Sequence, residues 1–332
     1  MRKIIEDKPL VSVIVPAYNA GGFLHLTIEA VRKQSYPNWE LIIVNDGSCD
    51  NTLTVAEAYA SGDDRIRVVS QANQGVTAAR RKGCEATTGE WVFFMDADDL
   101  VTENALEVLL NQPDDASMVF GTTLYARSRN EVFGRQTVVI NGLGVSSLYP
   151  LIFSFRMPQA IWGKLIRKDI ADQIVWPDQR IKIGEDALTQ FSILPLCSKI
   201  YAVSDDIYYY IQHKDSCMTQ KSPSAVASMW LYLQEIREMV CRLSPMLRQQ
   251  GYRYVLMEYY AYLMYGGEWN EEFVKGCLPH AKLPLKAGLL LEAFKRSIWL
   301  GGQLRSLLRM GARCKHSVSA KLYQLGGWVS GL

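Results

Sequence analysis

Trp91–Leu100 reads WVFFMDADDL, an apolar run that meets three carboxylates in four residues, Asp96, Asp98 and Asp99. The run is short, aromatic and preceded by Gly89-Glu90, the marks of a buried strand. Carboxylates directly behind such a strand fall at a sheet edge, where open α/β folds place their ligands. Like charges crowded there repel one another unless a cation or hydrogen-bond donors offset them. A hard divalent ion, Mg²⁺ or Mn²⁺, is the natural partner of these oxygens, and such ions usually hold substrate phosphates as well. The competing local reading is a helix N-terminus, with Asp99 or Thr102 as its cap.

The pattern of strand, then polar turn, recurs upstream. VSVIV (11–15) is β-branched and nearly all apolar; Pro16 is predicted to end it, and Tyr18-Asn19-Ala20-Gly21-Gly22 is turn material. A helix is predicted from about Phe23 to Gln34, with Leu24, Ile28 and Val31 on one face and Pro37-Asn38 breaking it. WELIIVN (39–45) reads as a second buried strand, followed by Asp46-Gly47-Ser48. Asn51–Tyr59 reads as a helix, Ile66–Ser70 as a third strand, and Val76–Ala86 as a helix carrying Arg80 and Arg81. This alternation implies βαβ crossovers and an α/β fold: a Rossmann-like, mainly parallel sheet with helices on both faces. Polar residues follow the strands rather than interrupt them, so Tyr18, Asp46 and Asp96 share one rim.

Downstream, a helix is expected at about Glu103–Leu110 and a fifth strand at Ser117–Gly121. Residues 122–150, interrupted by Gly134, Gly142 and Gly144, read as loops and short elements. Ile161–Arg167 resembles a strand or turn returning to the sheet. Glu185-Asp186 opens a helix running to about Leu196. Ile200–Val203 and Tyr208–Ile211 look like strands, and His213-Lys214-Asp215-Ser216 is a polar turn. From about Ser222 the character turns helical, with Ala225–Leu243 and Tyr252–Tyr265 as the main segments. The expected division is a catalytic domain over 1–221, with halves at about 1–110 and 111–221, and a C-terminal helical region over 222–332.

The chain of 332 residues is 48% hydrophobic and 21% charged, ample for a core. A net charge of +2 gives no global basic field, which argues against a nucleic-acid partner. Seven cysteines without a CxxC pair suit reduced thiols in a cytosol. No cleavable signal pattern precedes the first strand, and no uncharged apolar run reaches the roughly 18 residues of a spanning helix. The expected location is cytoplasmic. From Lys282 onward, nine cations face Glu292 alone and alternate with Leu289, Leu290, Phe294, Ile298 and Trp299. Such a tail fits peripheral contact with an anionic inner-membrane surface, or equally a helix packed on the catalytic domain with solvated cations.

VSVIVPAYNA, LIIVNDGSCDNT, NQGVTAARRKGCEATTGEWVFFMDADD and GED, in that order, resemble family two of the inverting nucleotide-sugar glycosyltransferases, which have the GT-A fold. The likeness is dense over about 10–110 and looser over 160–220. It implies that Pro16, Ala17, Tyr18 and Asp46 surround the nucleotide base, with Asn73 and Arg80 lining the same pocket. Asp96-Ala97-Asp98 then stands as the DxD motif, with Asp96 near the ribose and Asp98 reaching the metal. The resemblance makes Asp186 the general base, while Glu185 orients the acceptor or the helix start. Trp162 and Lys164 match a recurrent segment, Trp162 as an acceptor platform or as core. His213, Lys214 and Ser216 lie where relatives close over the diphosphate; the Arg that many of them carry is Ile211 here, which leaves Lys214 as the substitute cation.

Taken singly, most of these residues have ordinary readings: packing for Tyr18, an Asp-Gly turn for Asp46, a solvated helix face for Arg80 and Arg81, helix-start acids for Glu185-Asp186. The function implied is transfer from a nucleotide sugar, UDP-linked by family frequency, to a glycan or lipid-linked acceptor of bacterial surface polysaccharide such as lipopolysaccharide or capsule. Two other classes stand beside it. A sugar-nucleotide-binding protein without transfer is opposed by the intact carboxylates at 96, 98, 99 and 186. A nucleotidyltransferase is opposed by Tyr18-Asn19-Ala20, which stands where a Gly-rich basic loop is expected.

Overall fold

The structure, a computed structural model, describes residues 8–154, 157–212 and 222–281. They divide into two compact units, one of residues up to Leu148 plus Pro158–Gln220, the other of Tyr149–Met157 and the chain from Lys221.

In the first unit, β1 (Val11–Ala17), β2 (Trp39–Asp46), β3 (Ile66–Gln71) and β4 (Trp91–Phe94) form the parallel part of one sheet. Helices α1 (Leu24–Arg32), α2 (Thr52–Ala60) and α3 (Val76–Ala86) connect them in turn. The period of two along each strand sorts side chains between the faces. Val13, Val15, Leu41 and Ile43 pack with Leu24, Ile28, Val31 and Ala56 of α1 and α2, while Ile42 and Val44 pack with Ala79 of α3. Gly83 brings α3 close to the sheet: a Cβ there would stand 2.3 Å from Ile14 Cγ2.

The order β3-β2-β1-β4 reverses direction between β1 and β4. Crevices in open α/β sheets form at such a reversal, outside the C-terminal strand ends. Pro16 lies inside β1, paired with Val44, rather than ending the strand as predicted. Ile14 O accepts from Met95 N, and Pro16, two residues on, faces the same side beyond the end of β4. Its missing N–H therefore costs no ladder bond.

Past β4 the sheet becomes mixed. The short β5 (Leu100–Val101) precedes α4 (Ala105–Leu110), β6 (Met118–Ala126), β7 (Val132–Gln136), β8 (Ile140–Leu143) and α5 (Val145–Phe153). Next come β9 (Lys164–Arg167), α6 (Lys168–Ala171), α7 (Glu185–Ile193) and β10 (Ile200–Ile211). β9 enters antiparallel between β4 and β6. β10 runs parallel to β6 and antiparallel to β5 and β8. The two strands expected at 200–203 and 208–211 are thus one, with register shifts between Ala202 and Tyr208. The cap expected from Asp99 or Thr102 is not formed: Thr102 Oγ1 donates to Asp206 O, and Asp99 turns inward to β10.

The second unit holds α8 (Pro223–Cys241), α9 (Pro245–Tyr265) and α10 (Glu271–Ala281). Ser222 caps α8 by accepting from Ala225 N, with Pro223 opening the helix. Gly266, with φ +105°, ends α9. Its core is aromatic: Tyr259 stacks on Phe273, and Tyr254 lies against Phe153. Among the described residues no helix is long and apolar enough to cross a membrane. The basic tail from Lys282 lies outside the described residues.

Candidate active site

The loops behind β1 and β2 are tied together before any ligand arrives. Asn19 N donates to Ser48 Oγ, Cys49 N to Asn19 Oδ1, Ala20 N to Thr52 Oγ1, and Gly21 N to Asp50 Oδ2. Asn19 takes the left-handed conformation that Asn tolerates, with φ +49°. This leaves Tyr18 52% exposed on the rim while Pro16 and Ala17 are buried beneath it. Asp46 is buried and serves the next loop: its Oδ1 accepts from Gln71 Nε2 and Gln74 N, its Oδ2 from Gly75 N. Asp46 therefore fixes the turn that starts α3 and carries exposed Asn73. Gly47, at φ +68°, permits this approach, since a Cβ would stand 2.6 Å from Asn73 N.

Behind β4 the four acidic-turn residues alternate in exposure: Asp98 faces solvent and Asp99 is buried. Asp99 Oδ2 accepts from Tyr208 Oη at 2.8 Å and Oδ1 from Ile211 N at 2.7 Å. Tyr208 Oη also accepts from Asp96 N at 3.0 Å, so β10 holds the turn at two points. Thr27 Oγ1 of α1 donates to Ala97 O at 2.7 Å. Burial, with the charges of Asp96 and Asp98, pushes the Asp99 carboxyl well above the usual range.

Arg80 joins this turn to α7. Its guanidinium is 4% exposed; Nη2 donates to Asp96 Oδ1 at 3.0 Å and Nη1 to Asp186 Oδ1 at 2.5 Å. Burial opposes the Arg80 charge, but Asp186, Asp96 and Glu185 outweigh it and raise its hold on the proton. Burial pushes Asp96 up to about 6 even against Arg80. Burial, then the Asp186 charge, pushes Glu185 up to about 8. Gly184, with φ +90°, turns the chain so that α7 begins on this acidic pair.

Glu185 yields a pH prediction. Between about pH 5 and pH 8 the folded protein keeps a proton that the unfolded chain has released, so stability falls as pH rises through that window. The melting temperature should decline from pH 5 to pH 8, and Glu185→Gln should flatten the decline. An identical slope in the variant would remove Glu185 as its source.

Trp162 lies flat over two tyrosines of β10, 4.6 Å from Tyr208 and 5.4 Å from Tyr210 between ring centroids. Lys164 is 1% exposed; its Nζ donates to the carbonyls of Pro158 and Ala160, and burial pushes it down to about 7 against the pull of Asp186. In its satisfied orientation the Gln190 amide of α7 donates to the carbonyls of Pro158, Gln159 and Ala160 as well. Lys164 thus braces the wall from behind. His213, Lys214 and Ser216 lie outside the described residues.

Of the expected residues, Arg80, Asp96 and Asp186 form one hydrogen-bonded group, with Glu185, Asp98 and Asp99 beside it. Tyr18 and Asn73 stand on the loops behind β1 and β3, and Asp46 is the last residue of β2. Tyr208 went unread as a site residue; its place in a continuous run of three tyrosines gave no sign of the hydroxyl's partners. A cleft of about 900 Å³ opens at the opposite ends of these strands, by Pro9, Trp91, Pro113 and Arg167, and contains none of these residues.

For a metal, the test is the donor set. Among the described residues no group of three or more His, Cys, Asp or Glu converges on a point, so no closed protein cage is formed. Asp98 on the rim, near enough to Asp96 for their charges to interact, fits an ion that takes one or two carboxylates and completes its shell with phosphate and water, the habit of Mg²⁺ and Mn²⁺.

A sequence profile described as Glycosyl transferase family 2 matches residues 12–175. Glycosyltransferase GlyG of Streptococcus pneumoniae is 31% identical over 63% of this chain and 73% of its own length. TuaG of Bacillus subtilis, provisionally named a teichuronic acid biosynthesis glycosyltransferase, is 30% identical over 68% of this chain and 88% of its own length. Among solved structures, S. aureus TarS 1–349 in complex with UDP-GlcNAc superposes with a TM-score of 0.62 at 19% identity, covering 76% of this chain and 72% of that one.

Proposed function

We propose, from the premise that this chain belongs to glycosyl transferase family 2, that it moves a sugar from a UDP-sugar to a hydroxyl of a glycan or lipid-linked acceptor in bacterial surface-polysaccharide synthesis, with inversion. That it is a glycosyltransferase with a GT-A sheet follows from its relatives and fold. The finer reading is carried by one observation: Asp96 behind β4 and Asp186 on α7, 90 residues apart in sequence, meet on Arg80 at the reversal of strand order. The family profile ends at residue 175, so the role of Asp186 rests on this geometry and on the GED motif.

Transfer needs a held base, a neutralised diphosphate and an acceptor proton with somewhere to go. Tyr18 supplies an exposed ring for stacking on the nucleobase, above the loop that Asp46 fixes. Asp98, with Asp96, would hold Mn²⁺ or Mg²⁺ against the diphosphate, where the ion offsets charge growing on the leaving nucleotide. Asp186 accepts the acceptor's hydroxyl proton. The acceptor oxygen bonds to the anomeric carbon while the bond from that carbon to the diphosphate breaks, its electron pair leaving with UDP. One displacement inverts the centre and needs no nucleophilic side chain. Trp162, stacked over β10, supports an acceptor wall.

Hydrolysis of a panel of nucleotide sugars, with and without Mn²⁺, tests this. The expected result is metal-dependent release of free sugar and UDP. Release of pyrophosphate points to nucleotidyl transfer instead, and binding without release in any condition points to a sugar-nucleotide-binding protein.

A further inference from the structure

Arg80 is more deeply enclosed than the groups it serves. It is 4% exposed, against 27% for Asp96 and 22% for Asp186, and its Nε is buried without a partner. An enclosed guanidinium with an unsatisfied N–H is costly, and apolar packing at such a place is often as stable or more so. The arrangement is therefore poorly explained by stability. It does fix geometry. Arg80 takes Oδ1 of Asp96 and Oδ1 of Asp186, one oxygen from each carboxylate. A planar fork can hold two carboxylates at a set angle, whereas an ammonium acts as a single point. Arg80 itself is held by the close packing of α3 on β1 at Gly83.

We propose that Arg80 is a positioning residue for transfer: by bridging Asp96 and Asp186 it sets the proton acceptor at a fixed place relative to the donor, without itself touching the reacting atoms. This rests on the reading of Asp186 as general base. Misplacing a catalytic group by about 1 Å can cost on the order of 10²-fold in rate. Among the described residues, the charges facing Asp186 are Arg80 from α3, Asp96 from the turn behind β4, its neighbour Glu185 and Lys164 of β9. Of these, Arg80 touches it through a hydrogen bond.

The test is a double-mutant cycle on the full chain with Arg80→Lys, Asp186→Asn and the double variant. UDP release is measured from UDP-N-acetylglucosamine, or from whichever nucleotide sugar the wild type turns over, with nucleotide affinity measured alongside. Arg80→Lys keeps the charge but not the fork. It should lower kcat about 10- to 100-fold, more than it weakens nucleotide binding. On the Asp186→Asn background the same change should cost no more than about twofold, because the residue it acts through is already disabled. A full additive loss there, or wild-type kcat in Arg80→Lys, overturns the proposal. Wild-type turnover by Asp186→Asn instead removes the base assignment, and the positioning role falls with it. A substrate-free arm covers poor folding: Arg80→Met should melt lower than wild type, and adding Asp186→Asn should recover part of the loss. No recovery contradicts the bridge.

Discussion

Asp186→Asn should lose about 10²- to 10⁴-fold in transfer rate while binding nucleotide within about twofold of wild type. The range is that of a positioned general base. An acceptor alcohol holds its proton far more tightly than water at neutral pH takes it, so attack depends on a base at the moment the bond forms. The amide is nearly isosteric, and its oxygen can still accept from Arg80 Nη1, where Asp186 Oδ1 now sits. The fold around α7 should therefore survive, and the donor side, built from β1, β2 and the turn behind β4, should be untouched. Isothermal titration with UDP and Mn²⁺, together with steady-state transfer rates, reads both halves. Turnover near wild type would remove Asp186 from the mechanism; lost UDP binding would make it a donor residue.

Asp98→Asn is expected to produce the opposite pattern. Nucleotide affinity should no longer rise on adding Mn²⁺, and kcat/KM should fall by on the order of 10²-fold or more, since an ion held there would stabilise the departing diphosphate by several kcal/mol. Asp98 is on the rim and Asp99 beneath it is already committed to Tyr208 and Ile211, so Asp99 cannot take over. Titration of the variant with UDP at increasing Mn²⁺ measures this directly. A metal response equal to that of wild type would mean that other groups hold the ion.

The first four strands were legible because they are continuous apolar runs and their turns are polar, so period and position agree at each step. The limits of α3 are those that the sequence implied, Val76 to Ala86. Legibility failed where strands are short or broken. β5 has two residues and is made by its pairing with β10, which no local pattern announces. β10 looked like two strands because Ser204-Asp205-Asp206 interrupts its apolar alternation, yet the backbone carries on through register shifts.

Arg80 is the residue whose local pattern and family resemblance point in different directions. On its own it resembles a solvated helix residue, as Arg81 is, with its ion pair to Glu85. Yet Ala79, Gly83 and Cys84 mark a buried stripe of α3, and Arg80 lies within it. A charged residue on an apolar stripe needs a partner. Helical period alone could have predicted that burial, though not which carboxylates would meet it.

The antiparallel entry of β9 between β4 and β6 bears on how the chain can be made. During synthesis, β4 emerges more than 70 residues before the strand that will flank it, and β6 about 40 before. Until then both present bare backbone edges, the kind of surface on which incomplete chains pair with one another. A ribosome-stalled or proteolysed fragment ending near residue 150 should therefore be a client for chaperones rather than a miniature nucleotide-binding protein. Splitting the gene near residue 110 should yield two insoluble products, not two modules.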